Sequence, residues 1–185
     1  NSVTYIGEEA FHECGYDGQL VLSDSLQCID FAAFANCQFV GSLNIPNSVK
    51  SIKNNVFSNC NSFTGSLDIP DSVEEIGEYA FCCRGLSGTI TIGNSVTQIG
   101  YLAFDGNFSQ VLFKPTTPPS IASLGGMFYC GTTPQILVPC CYEAAYRAAP
   151  YWETHYGEKL SEGIVYTINV SPADEIEGEA TVFKM

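Results

Sequence analysis

The apolar positions of this chain recur with a fixed period. Phe11, Phe34, Phe57, Phe81 and Phe104 follow one another at gaps of 23, 23, 24 and 23 residues. Ile6, Ile29, Ile52, Ile76 and Ile99 keep the same beat. Leu20, Leu43, Leu67, Ile90 and Val111 form a third column, and Val3, Leu26, Val49, Val73 and Val96 a fourth. One unit reads SVxxIGxxAFxxCxxxxGSLxIP, as in SVKSIKNNVFSNCNSFTGSLDIP over residues 48–70. A sixth, degenerate unit covers about 117–139, with Phe128, Cys130 and the ILVP ending at Pro139. Four aligned columns over five units do not arise by chance, and self-similarity at a fixed period marks a repeat architecture.

The elements follow from the pattern inside a unit. GSLxIP alternates apolar and polar residues, which predicts a half-buried strand with Leu and Ile inward. Proline at its end stops the hydrogen-bond ladder. SVxxIG predicts a second short strand or extended corner, and EEAF and NNVF have room for one helical or 3₁₀ turn. A single unit of 23 residues cannot bury its own apolar face. Stacking places each Phe over the next Phe and each Ile over the next Ile, which builds a continuous core. Adjacent strands lie about 4.8 Å apart, so six units make a parallel ladder roughly 24 Å long.

SVEEIGEYAF, SVTQIGYLAF and SLNIPNSVKSI resemble the bacterial leucine-rich repeats of the BspA type, over about residues 2–139. The first and fourth units keep IG and AF intact. The second and third carry Asp30 and Lys53 in place of the Gly, changes expected at a surface corner. The resemblance implies a right-handed leucine-rich-repeat solenoid, β-rich with short helical or 3₁₀ turns, a parallel strand ladder and a C-terminal helical cap. It also implies an extracellular or bacterial cell-surface protein, with adhesion to host matrix proteins or other cells as the associated activity.

After Pro139 the pattern changes. CCYEAAYRAAPYW is rich in helix formers, with Tyr142, Ala145, Tyr146 and Ala149 at helical spacing and Pro150 as the stop. A solenoid needs its last core layer covered, so this segment is expected to lay Tyr146 and Trp152 over the sixth unit. The order VP, Tyr in a short Ala-rich helix, then Trp also resembles the C-terminal end of repeat arrays in that family. GIVYTINVS (163–171) reads as a further strand. The organisation expected is repeats over 1–139, a helical cap over 140–162, and a strand-like tail or the start of another domain over 163–185.

Composition narrows the partners. The 185-residue chain holds 20 Asp and Glu against 7 Lys and Arg, a formal net charge of -13. Such a surface repels phosphate backbones, so nucleic acid is not an expected partner. No apolar run approaches the roughly 18 residues that cross a bilayer. The N-terminal NSVTYIG has neither the charged nor the apolar region of a signal peptide and falls inside the repeat pattern.

The chemistry-bearing residues follow the repeat rather than converging on a point. Nine cysteines is an odd and high count. Cys14, Cys37 and Cys60 stand three residues after the unit Phe, and Cys83 is 23 beyond Cys60. Metal ligands gather in space, typically as CxxC pairs, and none exists here, so no metal or cofactor is expected. A stacked buried thiol explains the repetition, because Cys behaves as a small hydrophobe. Disulfides between neighbouring rungs stay open: the Cα spacing permits them, but parallel side-chain vectors suit the S–S dihedral poorly. Cys82–Cys83 and Cys140–Cys141 are adjacent pairs, where strain opposes a vicinal bridge. His12, in HEC, and His155 read as turn and cap histidines without an orienting third group. Glu8–Glu9 and Glu74–Glu75 lie at exposed corners, where no cleft places two acids face to face. DEIEGE (174–179) lacks the spacing of a calcium loop.

An open ladder exposes the outward residue of each rung in a line. Those residues are Val21, Asn44, Asp68, Thr91 and Leu112, flanked by Ser42, Ser66 and Thr89. The candidate binding positions are therefore Ser42, Asn44, Ser66, Asp68, Thr89 and Thr91, with Tyr101, Tyr129 and Tyr151 as alternative contacts. The reading is a non-catalytic, monomeric binding module for a protein or glycan ligand. The alternative is a structural spacer within a larger surface protein, and an enzyme is the least favoured reading.

Overall fold

The computed structural model describes residues 2–122, 126–128 and 134–164. Each unit contributes one short strand to a first parallel ladder. Its strands are β1 (Tyr5–Ile6), β2 (Cys28–Ile29), β3 (Ser51–Ile52), β5 (Glu75–Ile76), β7 (Gln98–Ile99) and β9 (Ser120–Ile121). They stand in the order β1-β2-β3-β5-β7-β9, with Ile29, Ile52, Ile76 and Ile99 in register and buried. A second parallel ladder holds β4 (Gly65–Ile69), β6 (Phe81–Ile92), β8 (Phe104–Phe113), β10 (Gln135–Pro139) and β11 (Leu160–Ile164), with β4 at one edge and β11 at the other. In β4 the Leu67 and Ile69 side chains are buried and Asp68 is exposed, as the alternation of GSLDI predicts. The molecule is a parallel-strand solenoid, as the repeat requires.

The segments between the ladders carry the 3₁₀-type bond but do not wind into a helix. In the first unit the N–H groups of Ala10, His12 and Cys14 donate to the carbonyls three residues back. The alternate N–H groups, of Glu9, Phe11 and Glu13, donate across to Phe31, Ala33 and Ala35 of the next rung. The same alternation recurs in the second and third units, where Ala32, Phe34 and Asn36, then Asn55, Phe57 and Asn59, donate to the following rung. Left-handed φ values at Glu9 and Glu13, Ala32 and Asn36, and Asn55 and Asn59 break the helical run every fourth residue. The turn face is thereby a third hydrogen-bonded face, and its bonds tie rung to rung.

Two strands run far beyond GSLxIP. β6 spans 12 residues and β8 spans 10, because in these units the turn face also pairs, from Phe81 with Phe104 onward, with register shifts between Cys82 and Ser87 and between Gly88 and Thr89. On its other side β6 lies close to the preceding rung at Gly85, where a Cβ would sit 2.3 Å from the carbonyl oxygens of Asn61 and Phe63.

The core is a column of rings. Phe11, Phe34, Phe57, Phe81 and Phe104 stack at centroid distances of 5.2, 5.5, 5.5 and 5.7 Å with interplanar angles of 6°, 3°, 19° and 6°. Phe128 continues the column at 5.9 Å, which places the sixth unit where its spacing predicts. A second aromatic column, Phe39 over Phe63 at 6.2 Å, meets the first edge-on.

Two short helices follow β10 and pack on the stack, α1 (Glu143–Ala148) and α2 (Trp152–Tyr156). Tyr146 and Trp152 are fully buried, and both meet Phe113 edge-on, at 5.9 and 5.1 Å. Their polar tips are satisfied by loop carbonyls: Tyr146 Oη donates to Pro115 at 2.7 Å and Trp152 Nε1 to Pro119 at 2.9 Å. Arg147 ties the segment together, reaching Glu143, Glu153 and the Gly157 carbonyl at 2.7–2.9 Å. The chain then returns as β11, parallel to β10. The strand therefore begins at Leu160, earlier than GIVYTINVS; the rest of that stretch, DEIEGE, Tyr129 and Cys130 lie outside the described residues.

Candidate binding face

Four of the six candidate positions, Ser66, Asp68, Thr89 and Thr91, lie on β4 and β6 of the second ladder, while Ser42 and Asn44 lie on a preceding segment that forms no strand. Register pairs Leu67 with Ile90 and Asp68 with Thr91, so the outward residues of successive rungs are neighbours. Asn44, Ser66, Asp68, Thr89 and Thr91 line one shallow groove of about 330 Å³ whose floor includes Leu43, Ile45 and Leu67. Ser42, Asn44, Ser66 and Asp68 are exposed, while Thr89 and Thr91 are half-buried. The β4–β6 backbone pairing sets the face, and a side chain of the face itself braces it. Thr89 N–H donates to Ser66 Oγ at 3.2 Å, and Gly88, with φ of 82°, leaves that oxygen room: a Cβ there would stand 2.8 Å from it. Val21, the matching position of the first unit, is 81% exposed.

The repeat columns match the BspA type leucine rich repeat region in six copies over residues 1–133. The chain belongs to the BspA-type leucine-rich repeat family. No curated protein sequence matches it. Among solved structures, the crystal structure of the pneumococcal vaccine antigen PcpA superposes with a TM-score of 0.64 at 19% identity. The match covers 86% of this chain and 37% of PcpA, so this chain spans little more than a third of that protein's length.

In this BspA-type solenoid the repeated cysteine is a structural donor. Cys37, Cys60 and Cys83 place Sγ 2.9, 2.9 and 2.8 Å from the carbonyl oxygens of Phe11, Phe34 and Phe57, each on the preceding rung. Cys83 thus joins the column despite standing two residues after its Phe. The eight described cysteines are all free thiols. Burial pushes the Cys60 thiol up to about 12 and raises Cys83 well above the ordinary value, the reverse of what an activated thiolate needs.

Serine does the same work on another face, a signal the column reading passed over. Ser48 and Ser72 hydroxyls donate to the carbonyls of Leu26 and Val49 at 2.6 and 2.7 Å. The S of SVxxIG recurs with the same period as the Phe, so this role was there to be found. The Phe39 and Phe63 column was legible in the same way.

The remaining motifs take separate places. At the corner where two units lack the Gly of IG, Asp30 accepts from Tyr5 Oη and from Phe31 N–H, bonds that hold its carboxyl below the usual range. Lys53 pairs with Glu75 at 2.6 Å, which raises the ammonium. His12 lies exposed with Nε2 3.1 Å from Asn36 Nδ2, and Asn36 in turn accepts from Asn59 at 3.0 Å. His155 packs against Tyr151 and Tyr156 in the cap. Tyr101 meets Tyr79 edge-on at 5.5 Å and Tyr151 is exposed. Glu74 points to solvent, away from Glu75 and its lysine.

Two other concavities lie away from this face. At the N-terminal end, Val3, Tyr5, Phe11, Tyr16 and Leu20 line an apolar cleft of about 440 Å³, and Phe11 is 44% exposed there. Among the described residues, Phe11 stacks on Phe34 alone. Along the first ladder, Glu75, Glu78, Gln98 and Tyr101 border a polar groove of about 380 Å³. Among the described residues no helix is long and apolar enough to cross a membrane.

Proposed function

We propose that this chain is a non-catalytic recognition module, displayed outside a bacterial cell, that binds a protein partner through the second ladder. The observation that carries the reading is the groove lined by Asn44, Ser66, Asp68, Thr89 and Thr91. Its groups are short, so little rotamer entropy is lost when they are ordered by a ligand. Their spacing is fixed by a paired backbone ladder, which pre-organises donors and acceptors at strand intervals. The apolar floor supplies burial between them. Asp68 gives the groove a carboxylate, which favours a partner presenting Lys, Arg or amide donors. Kinship with BspA-type repeats and a fold shared with a pneumococcal antigen support an extracellular setting.

The test is surface plasmon resonance of the 185-residue chain against immobilised host matrix proteins and a glycan array. Saturable binding to a protein, weakened at least tenfold by Asp68→Lys with an unchanged thermal transition, is the expected result. Binding to glycans alone would reassign the ligand class. Failure of the intact protein to bind any of them would leave the spacer reading in its place. Surface display is checked separately, by protease treatment of intact producing cells.

A further inference from the structure

We propose that Cys140 and Cys141 form a chelating dithiol site for a three-coordinate, trivalent metalloid centre of the arsenous class. The two residues follow β10 directly and precede α1, where the chain turns away from the ladder. Both are exposed, and their Sγ atoms stand 3.3 Å apart. Cys141 holds a left-handed φ of 71°, and its N–H is fixed by Glu162 Oε1 at 2.9 Å. The turn therefore presents two sulfurs side by side on one surface rather than on opposite sides of an extended strand.

The separation selects the ligand. With sulfur–metal bonds of about 2.3 Å, sulfurs 3.3 Å apart subtend roughly 90° at the centre. A linear two-thiolate ion needs twice the bond length between its sulfurs. A tetrahedral ion needs a wider angle and two further ligands, and among the described residues no group of three His, Cys, Asp or Glu gathers here. A pyramidal trivalent centre fits the angle, with its third position left to solvent or an organic group. The reaction needs no oxidant: an organoarsenic oxide, R–As=O, and two thiols give R–As(S)₂ and one water, the thiol protons leaving with the oxygen. Among the described residues, the other adjacent cysteine pair does not compete. Cys83, beside Cys82, is buried and committed to the Phe57 carbonyl, and Cys82 is half-buried with its Sγ toward Asp105.

The experiment uses the reduced 185-residue chain and one equivalent of phenylarsine oxide, read by intact mass and peptide mapping. One adduct is expected, the mass of a phenylarsenic group less two hydrogens, mapped to 140–141. It should resist excess 2-mercaptoethanol and be removed by 2,3-dimercaptopropanol. Cys140→Ser and Cys141→Ser, both at exposed positions, should each weaken binding by roughly 10²-fold or more, because the second thiol acts at the effective concentration of a neighbour. Cys82→Ser should leave it unchanged. An adduct that maps elsewhere, persists in both single variants or washes out with monothiol would overturn the proposal. So would loss of both thiols to a Cys140–Cys141 disulfide that reforms under the reducing conditions of the assay.

Discussion

At the scale of single residues, the fold is secured by small donors aimed at the neighbouring rung's backbone. Cys60 illustrates the arithmetic. Its thiol gives the Phe34 carbonyl a second donor beside the Cys37 N–H, and it fills a site with no solvent access. Cys60→Ala removes a weak hydrogen bond and a buried sulfur, a loss of about 1–3 kcal/mol, read as a lower urea midpoint at unchanged slope. The pH dependence has a definite sign. The folded thiol ionises at about 12 and its ordinary value is 9.0. Below pH 9 both folded and unfolded forms keep the proton, and the contribution is fully present. Between 9 and 12 the unfolded chain loses a proton that the folded chain keeps, so stability falls by up to about 1.4 kcal/mol per pH unit for this thiol. The stability gap between the native chain and Cys60→Ala should therefore narrow as pH rises through that window. In the native chain at pH 8, thiol reagents should modify Cys140 and Cys141 and spare Cys60 and Cys83. The turn face supplies a prediction of opposite sign. Glu13 holds a φ of 55° in the column where Asn36 and Asn59 hold 60°. Asparagine tolerates that conformation better than glutamate, so Glu13→Asn should raise stability by up to about 1 kcal/mol in the same titration.

Elements of this molecule are defined by what stacks on them. Phe57 is fully buried between the rings of Phe34 and Phe81, whereas Phe11 has one neighbour and 44% exposure. Phe57→Ala should cost about 3–5 kcal/mol. Phe11→Ala should cost clearly less, because its outer face is already in water. Equal losses would show that the stack is not the source of the stability. The two ladders, the Phe column, the thiol column and the outward row were legible in the sequence because each is an invariant of the period: a residue that must repeat every rung shows itself by repeating. The turn face was not legible in the same way. Its alternation of i→i−3 and cross-rung bonds is a property of backbone dihedrals, and Glu9, Ala32, Tyr79 and Leu102 adopt left-handed φ without being residues that favour it. The 12-residue β6 was hidden for a related reason, since its length comes from backbone pairing with β8 through two register shifts that no side-chain column marks. The candidate face was legible as a row of residues, but its concavity depends on how those rungs sit side by side.

Across the described layers of the 185-residue chain, the cover on the stack is uneven, and local stability should be graded along it. The N-terminal layer leaves Phe11 and Tyr16 open, while the C-terminal layer is covered by Tyr146, Trp152 and Tyr156. Trp152 is central to that cover: it contacts Phe113, Tyr146 and Tyr156 at 5.1, 4.8 and 5.8 Å and donates to Pro119. A repeat solenoid couples mainly to nearest neighbours, so damage at one end spreads by fraying rather than by global loss. Trp152→Ala should therefore cost about 3–5 kcal/mol locally and act first on the layers it covers. Hydrogen exchange gives the readout with spatial resolution. Amides of β10, β11 and the Phe113 end of β8 should lose protection by several hundred-fold or more. Those of β3 and β5, two to three rungs away, should change far less at low denaturant. The Tyr156 hydroxyl, pushed up to about 12 by burial and bonded by the Met127 N–H at 2.5 Å, reports on the same layer. Its titration should fall back toward the ordinary tyrosine value when the tryptophan is removed. Uniform loss of protection from β1 to β11 would mean that the solenoid unfolds as one cooperative unit, with the cap acting on every rung at once.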